Sequence, residues 1–274
     1  MEVNAITIIE PRRRWITLDL RDIWKHRELL FFLVWRDVKV RYKQTAMGVL
    51  WAILQPILTT LIFTILFSRF AEPETAGVPY PLFALSGLLI WFFVNAAINR
   101  AAWSLVSNRN MVTKVYFPRL IIVFAAALAG MVDLLLSLVI LIGLSIYYAT
   151  GFTWQIALAP FFILLTLILA TACGTFFAAL NVRYRDVRFL LPFLLQIWMF
   201  VSPVFYPSSL VTERWRPLFE LNPLTGLIDG FRSSVLGKPF NWYPIIVATT
   251  FTLILGMISL IVFNRMEDDF ADLI

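Results

Sequence analysis

Apolar positions fall along this chain in long blocks, separated by short polar ones. Six stretches, 48–67, 81–98, 120–148, 156–180, 189–205 and 242–263, carry almost no charge. Crossing a hydrocarbon core about 30 Å thick takes about 20 helical residues at about 1.5 Å each, and these stretches match that length. The fifth is the shortest and is bounded by prolines. The pattern predicts an all-α membrane protein with six transmembrane helices. Little sequence is left for a second module, so residues 1–274 read as a single transmembrane domain.

Two further segments follow the helical period without being spans. Within 19–43, Ile23, Leu30, Leu33, Val34, Trp35 and Val38 recur at helical spacing, and Lys25, Arg36, Lys39 and Lys43 fill the other side. With Asp19 as its cap, this predicts an N-terminal amphipathic interface helix on the inner membrane surface. A plain anchor that orients the first span has the same pattern. Residues 207–241 are too few for two spans and too apolar for a plain loop. Asn222–Pro223 supplies an N-cap followed by proline at the first helical position. Leu224, Leu227, Ile228, Phe231 and Val235 then keep helical spacing up to a glycine stop at Gly237. Leu210, Trp215, Leu218 and Phe219 form a second set, broken at Pro217. The segment predicts a re-entrant outer helical hairpin before the last span, rimming a pathway or lying flat at the interface. Gln55–Pro56 predicts a kink in the first span. The inner loop VSNRNMVTKVYFP holds a small helix within 107–117, with Asn108 as its cap.

Composition sharpens this picture. The chain is 60% hydrophobic and 15% charged, against about 25% charged in soluble domains. The formal charge of +6 is unevenly placed. With the N-terminus inside, only Arg69, Arg214, Arg216, Arg232 and Lys238 of the 23 Lys and Arg fall outside. That is the positive-inside asymmetry, with both termini cytoplasmic. The basic charge therefore serves a membrane and not nucleic acid. Forty-seven mostly polar residues precede the first span, which argues against a cleavable signal peptide.

Candidate chemistry is sparse. The single Cys173 excludes an intrachain disulfide and a cysteine metal cluster, and the single His26 argues against a histidine triad or zinc site. There is no phosphate-binding G-x-x-x-x-G-K-[ST] loop, since the only Gly–Lys pair, Gly237–Lys238, runs into Pro239. The chain cannot bind and hydrolyse ATP by a phosphate loop of its own. Asp133 lies deep in the third span, at a cost of roughly 2.5–3.5 kcal/mol on insertion scales. It reads as an interhelical hydrogen-bonding group or as a proton-coupling site. In VRYRDVR, residues 182–188, Asp186 is expected to pair an arginine across a tight turn.

RDVKVRYKQTAMGVLWAILQP, residues 36–56, and LNPLTGLIDGFRSSVLG, residues 221–237, resemble the permease subunit of bacterial polysaccharide ABC exporters of the type 2 family. These export lipid-linked O-antigen, capsular polysaccharide or wall teichoic acid. The resemblance extends over nearly the whole chain. It implies a transporter and not an enzyme, in the bacterial inner membrane, moving most simply an undecaprenyl-pyrophosphate-linked O-antigen. The implied partners are a second copy of the chain, two ATPase (nucleotide-binding) subunits that hold ATP and magnesium, the lipid-linked polysaccharide and membrane lipids. The chain itself takes no cofactor and no metal.

By the same resemblance, residues 19–43 form a gate helix. Asn108, Arg109, Asn110, Lys114 and Tyr116 belong to a coupling helix for the ATPase. Residues 209–221 and 222–236 form outer gate helices that include Trp215, Asn222, Pro223 and Phe231. The conduit lies at the dimer interface, lined by the first and fifth spans. Aromatic faces suit the apolar faces of sugars, so Tyr42, Trp51, Gln55, Trp198, Phe205 and Tyr206 are the candidate sugar track. Arg36, Lys39, Arg41 and Lys43 are candidates for the carrier's pyrophosphate, or for anionic lipid.

Other readings are an exporter of the same type for teichoic acid, capsule, lipid or drug, a proton-coupled secondary transporter using Asp133, and a membrane transferase. The second calls for internal repeats with paired broken helices, which the sequence lacks. The third calls for convergent acids, histidine or a metal site, whereas the inner loops hold only Asp186 beside arginines.

Overall fold

The computed structural model describes residues 20–43, 48–71, 77–151 and 153–270. The Asp19 cap, the arginines at 12–14, the junction residues 45–47 and the acidic Asp272 lie outside the described residues. All regular structure among the described residues is helical. The short α1 (Leu20–Lys25) leads into α2 (Arg27–Lys43), then α3 (Gly48–Ala71) and α4 (Tyr80–Ser107). A single turn-and-a-half, α5 (Arg109–Lys114), precedes α6 (Leu120–Leu128) and α7 (Met131–Tyr147). Then come α8 (Ala159–Arg183), α9 (Val187–Phe200), α10 (Arg216–Glu220), α11 (Pro223–Leu236) and α12 (Trp242–Met266).

Five helical stretches are long and apolar enough to cross a membrane: Gly48–Phe67, Tyr80–Ser107, Leu120–Tyr147, Trp154–Arg183 and Trp242–Met266. The third is α6 and α7 together, broken by a turn at Ala129 and Gly130. The fifth expected span, 189–205, is corrected. Its helix, α9, has 14 residues and reaches about 21 Å. The chain then turns through 201–206, so the apolar run continues beyond the helix. The second expected span, 81–98, is corrected in the other direction: α4 continues to Ser107, so Asn99 and Arg100 belong to the helix and not to a loop.

α4 is the centre of the bundle. It is buried along most of its length and packs on α8, α6, α3, α7 and α11. Its first turn meets α11 at one end of the molecule, and its last turn meets α2 and α5 at the other. These are called the hairpin end and the basic end. α3 is the opposite case, packed on α4 and α7 but with most of its surface open, including Val49, Leu50, Leu61, Ile62 and Ile65. α2 does not have one apolar face. Leu33 is buried and the helix packs on α6, while Phe31, Phe32 and Trp35 point outward.

Small residues set how closely the helices approach. A Cβ on Gly174 of α8 would collide with the Ala101 side chain of α4. By contrast, Gly143 of α7 faces open space. Gly174→Val should lower the thermal midpoint in detergent, by an overpacking cost of about 1–3 kcal/mol. Gly143→Val should leave the midpoint unchanged in the same assay.

Candidate functional site

At the basic end, α2, α3, α4 and α7 enclose a cavity of about 680 Å³. Trp51, Gln55 and Pro56 of α3 line it, together with Asn95, Asn99 and Arg100 of α4 and Asp133 and Ser137 of α7. Pro56 has no N–H for the carbonyl of Ala52 one turn earlier, and both residues border the cavity.

Asp133 organises one wall. Its carboxylate accepts hydrogen bonds from Arg41 and from the Tyr42 hydroxyl of α2, and from Arg100 Nη2 at 2.9 Å. Two guanidiniums and a phenol from α2 and α4 therefore converge on one acid of α7. Burial pushes the Tyr42 phenol up to about 12, with the Asp133 hydrogen bond and charge adding to the shift. Tyr42 thus stays a neutral donor. Arg100 gives Asp133 an ionisable neighbour from a second span, because α4 outlasts its apolar run.

The four cations expected at an inner mouth are used differently. Arg41 is engaged by Asp133. Arg36 pairs Asp37 at 2.8 Å, donates to Asn108 Oδ1 at 2.9 Å and reaches Met111 Sδ at 3.5 Å. It ties α2 to the junction of α4 and α5. Lys39 and Lys43 are exposed and border a shallow groove with Trp35, Val38 and Tyr42. Of the expected coupling residues, Asn108 is held by Arg36, while Arg109, Asn110 and Lys114 are exposed on α5. Tyr116 is 93% exposed.

The six candidate track residues fall into two groups. Tyr42, Trp51 and Gln55 share the cavity. Trp198, Phe205 and Tyr206 lie towards the hairpin end, where the Phe205 ring stacks on Phe63 of α3 at 4.6 Å. Gln55 and Phe63 are eight residues apart, or about 12 Å along α3. The Tyr80 hydroxyl donates to the Phe205 carbonyl at 2.7 Å, and Tyr206 donates to the Phe200 carbonyl at 2.9 Å.

Asn222 joins the second group to α11. Its Oδ1 caps Leu224 N at 3.1 Å and also accepts from Trp198 Nε1 at 2.8 Å. Its Nδ2 donates to Ser202 Oγ at 2.8 Å. Pro223 and Phe231 are buried, whereas Trp215 is exposed.

Sequence reasoning missed the strongest knot at this end. Arg232 was counted only among the cations on the outer side, yet it is 3% exposed. Its Nη2 donates to the carbonyls of Pro203 at 2.8 Å and Val204 at 2.9 Å, its Nε to Ser86 Oγ at 3.3 Å, and its Nη1 to Asp229 Oδ1 at 3.1 Å. The guanidinium also lies 3.7 Å over the Phe83 ring, and Ser208 donates to the other Asp229 oxygen. Asp229 and Arg232 at i and i+3 were the available signal.

Five helices long and apolar enough to cross a membrane, an exposed basic end and a polar cavity mark a multi-pass membrane protein, and comparison with known proteins gives its class. Residues 28–236 match the ABC-2 type transporter family, and the chain belongs to that family. It is 28% identical to the O-antigen export system permease protein RfbA of Myxococcus xanthus, over 92% of this chain and 98% of that protein. It is 24% identical to RfbA of Klebsiella pneumoniae, over 90% and 95% of the two chains. A third relative is the polysialic acid transport protein KpsM of Escherichia coli, 24% identical over 85% and 91%. All three are named as transport proteins and none as an enzyme.

Removing the Asp133 carboxylate leaves Arg41 and Arg100 facing each other without their shared acceptor. Asp133→Ala should lower stability by about 1–3 kcal/mol, the usual cost of an orphaned partner. Thermal unfolding in detergent checks this. The double variant Asp133→Ala/Arg100→Ala should recover part of the loss, since only one guanidinium then lacks its acid.

Proposed function

We propose that this chain is the permease of an ATP-driven exporter of the ABC-2 type that moves a lipid-linked polysaccharide, most simply an undecaprenyl-pyrophosphate-linked O-antigen, out across the inner membrane. The observation that carries this reading is end-to-end similarity to a permease named for O-antigen export. Two copies pair, two ATPase subunits dock at the basic end, and both termini are cytoplasmic. α9 and the turn after it together make the sixth crossing. Ser202 and Val204 of that turn are buried in protein, the condition under which non-helical backbone is tolerated at membrane depth. α2 lies at the inner interface, and the hairpin of α10 and α11 dips into the outer leaflet.

The open apolar face of α3, with Leu61, Ile62 and Ile65, supplies the surface for the second copy. The conduit runs along that interface. Its inner mouth is the cavity with Trp51, Gln55, Asn95 and Asn99, where amide groups meet sugar hydroxyls and the indole meets a sugar face. Lys39 and Lys43 at the rim attract the carrier's pyrophosphate, while Arg41 is committed to Asp133. The Phe63, Phe67 and Phe205 cluster closes the far side under the hairpin. Displacing α11 breaks the Arg232 bonds to the Pro203 and Val204 carbonyls and opens the exit. The Asp133 carboxylate is held by Arg41 and Arg100, which favours a positioning role over proton coupling.

Reconstituted with its ATPase, the permease should export polymer with hydrolysable ATP and not with a non-hydrolysable analogue. Equal export by the permease alone under a proton gradient would overturn the reading. The Arg36 bridge joins the gate helix to the coupling helix. Arg36→Gln should therefore retain ATP hydrolysis while polymer exported per ATP falls several-fold, read by parallel phosphate-release and export assays.

A further inference from the structure

A second cavity, of about 350 Å³, lies at the basic end and is lined by Trp103, Arg109, Asn181, Arg185 and Arg188. It sits on the one accessible stripe of α4. Asn95, Asn99, Trp103 and Val106 recur at the period of a single helix face and are accessible, while Ile98, Ala101, Ala102 and Leu105 around them are buried. The stripe begins in the larger cavity and ends in this one.

Three guanidiniums surround the second cavity, one from α5, one from the turn between α8 and α9, and one from the first turn of α9. Among the described residues, none of the three forms an ion pair, and Asp186 beside them forms none either. The pairing expected of Asp186 with an arginine is thereby corrected. Arg188 is held over the Trp103 ring at 5.2 Å and the Phe189 ring at 5.9 Å, which fixes its position but neutralises no charge. Like charges gathered in one concavity repel, and a bound anion relieves them. Arginine forks match phosphate oxygens in two-point geometry.

The rim identifies the anion's other half. From Arg188 the outward face of α9 continues as Phe189, Leu190, Phe193 and Ile197, all exposed and apolar. A ligand seated here meets cations at its head and hydrocarbon-like surface along its tail. We propose that the Arg109–Arg185–Arg188 cavity binds the phosphate headgroup of a membrane lipid, whose chain lies along α9. Basic pockets between spans on the cytoplasmic side take such headgroups. The inference rests on the membrane orientation proposed above and not on the identity of the exported polymer.

Native mass spectrometry of the full chain, released from phosphatidylcholine nanodiscs titrated with phosphatidylglycerol, tests it. Wild type should retain one phosphatidylglycerol per chain. At roughly 1 kcal/mol per cation near the surface, the double variant Arg185→Gln/Arg188→Gln should bind it about thirtyfold more weakly. Arg185→Lys, which keeps charge and loses the fork, should fall between. Arg183→Gln removes a nearby charge outside the cavity and should bind as wild type. A parallel titration with a polyisoprenyl diphosphate distinguishes the source of the phosphate: tighter binding marks the export carrier, weaker binding a bulk phospholipid, and both require the arginines. Three results overturn the proposal: unchanged binding in the double variant, an equal loss in Arg183→Gln, or unchanged lipid binding combined with lost ATPase association. The last would give the cavity to a protein partner. Wild type that binds phosphatidylglycerol but exports no polymer with its ATPase would count against the exporter reading and leave this one standing.

Discussion

A charge carried into an apolar bundle must find its partner inside the protein, and α4 is where this chain meets that demand. Near one end, Arg100 meets Asp133 of α7 and, through it, Arg41 of α2. Near the other, Ser86 and the Phe83 ring receive Arg232 of α11. Ser86 and Arg100 are fourteen residues apart, about 21 Å along the helix. Two polar knots thus pin three peripheral elements to one buried rod. Most of the remaining α4 surface is apolar packing, which sets distance but not register. The knots set register, because guanidinium bonds have fixed directions.

The two knots differ in what they bind. At the basic end the partners are side chains from separate helices, and the acid is shared by two bases. At the hairpin end two of the four acceptors of Arg232 are backbone carbonyls of the turn after α9. That turn has no helical ladder for its carbonyls, so Arg232 supplies the donors they lack. Gly87 of α4 leaves room for this arrangement, since a side chain there would strike both Arg232 and the Val204 carbonyl. The hairpin's position and the satisfaction of the turn are therefore one event.

Much of the architecture was legible in the sequence because local chemistry decides it. Asn222 caps α11, proline opens it, and Gly237 ends it at φ 69°. The long apolar runs of α3, α8 and α12 needed no tertiary information. Where apolar runs and helices part company, the reading slipped. α4 passes through Arg100 because a distant acid compensates the charge. α9 stops at Phe200 although the run continues, because the following residues are buried as turns. Of the candidate track, Trp198, Phe205 and Tyr206 lie towards the hairpin end, whereas Tyr42, Trp51 and Gln55 line one cavity. The amides of Asn95 and Asn99 face the same space, and only their spacing on one helix face hinted at it. Arg41 is engaged by an acid on another helix, which its own neighbours in sequence could not reveal, whereas Arg36 pairs the adjacent Asp37 and reaches Asn108.

Asn108 is the one residue between α4 and α5, and it belongs to both. Its N–H and its Nδ2 bond the Ser104 carbonyl of α4, at 3.1 and 2.8 Å. Its own carbonyl accepts from Met111 and Val112 of α5. A joint built this way has no slack. A displacement of α5 cannot be taken up by a loop and must appear as rotation or translation of α4. Because α4 is gripped along its length, the bundle behaves as a lever whose far arm is the hairpin. The stiffness of a single joint, and not the size of any one helix, sets how much of a displacement at the basic end arrives at the hairpin end.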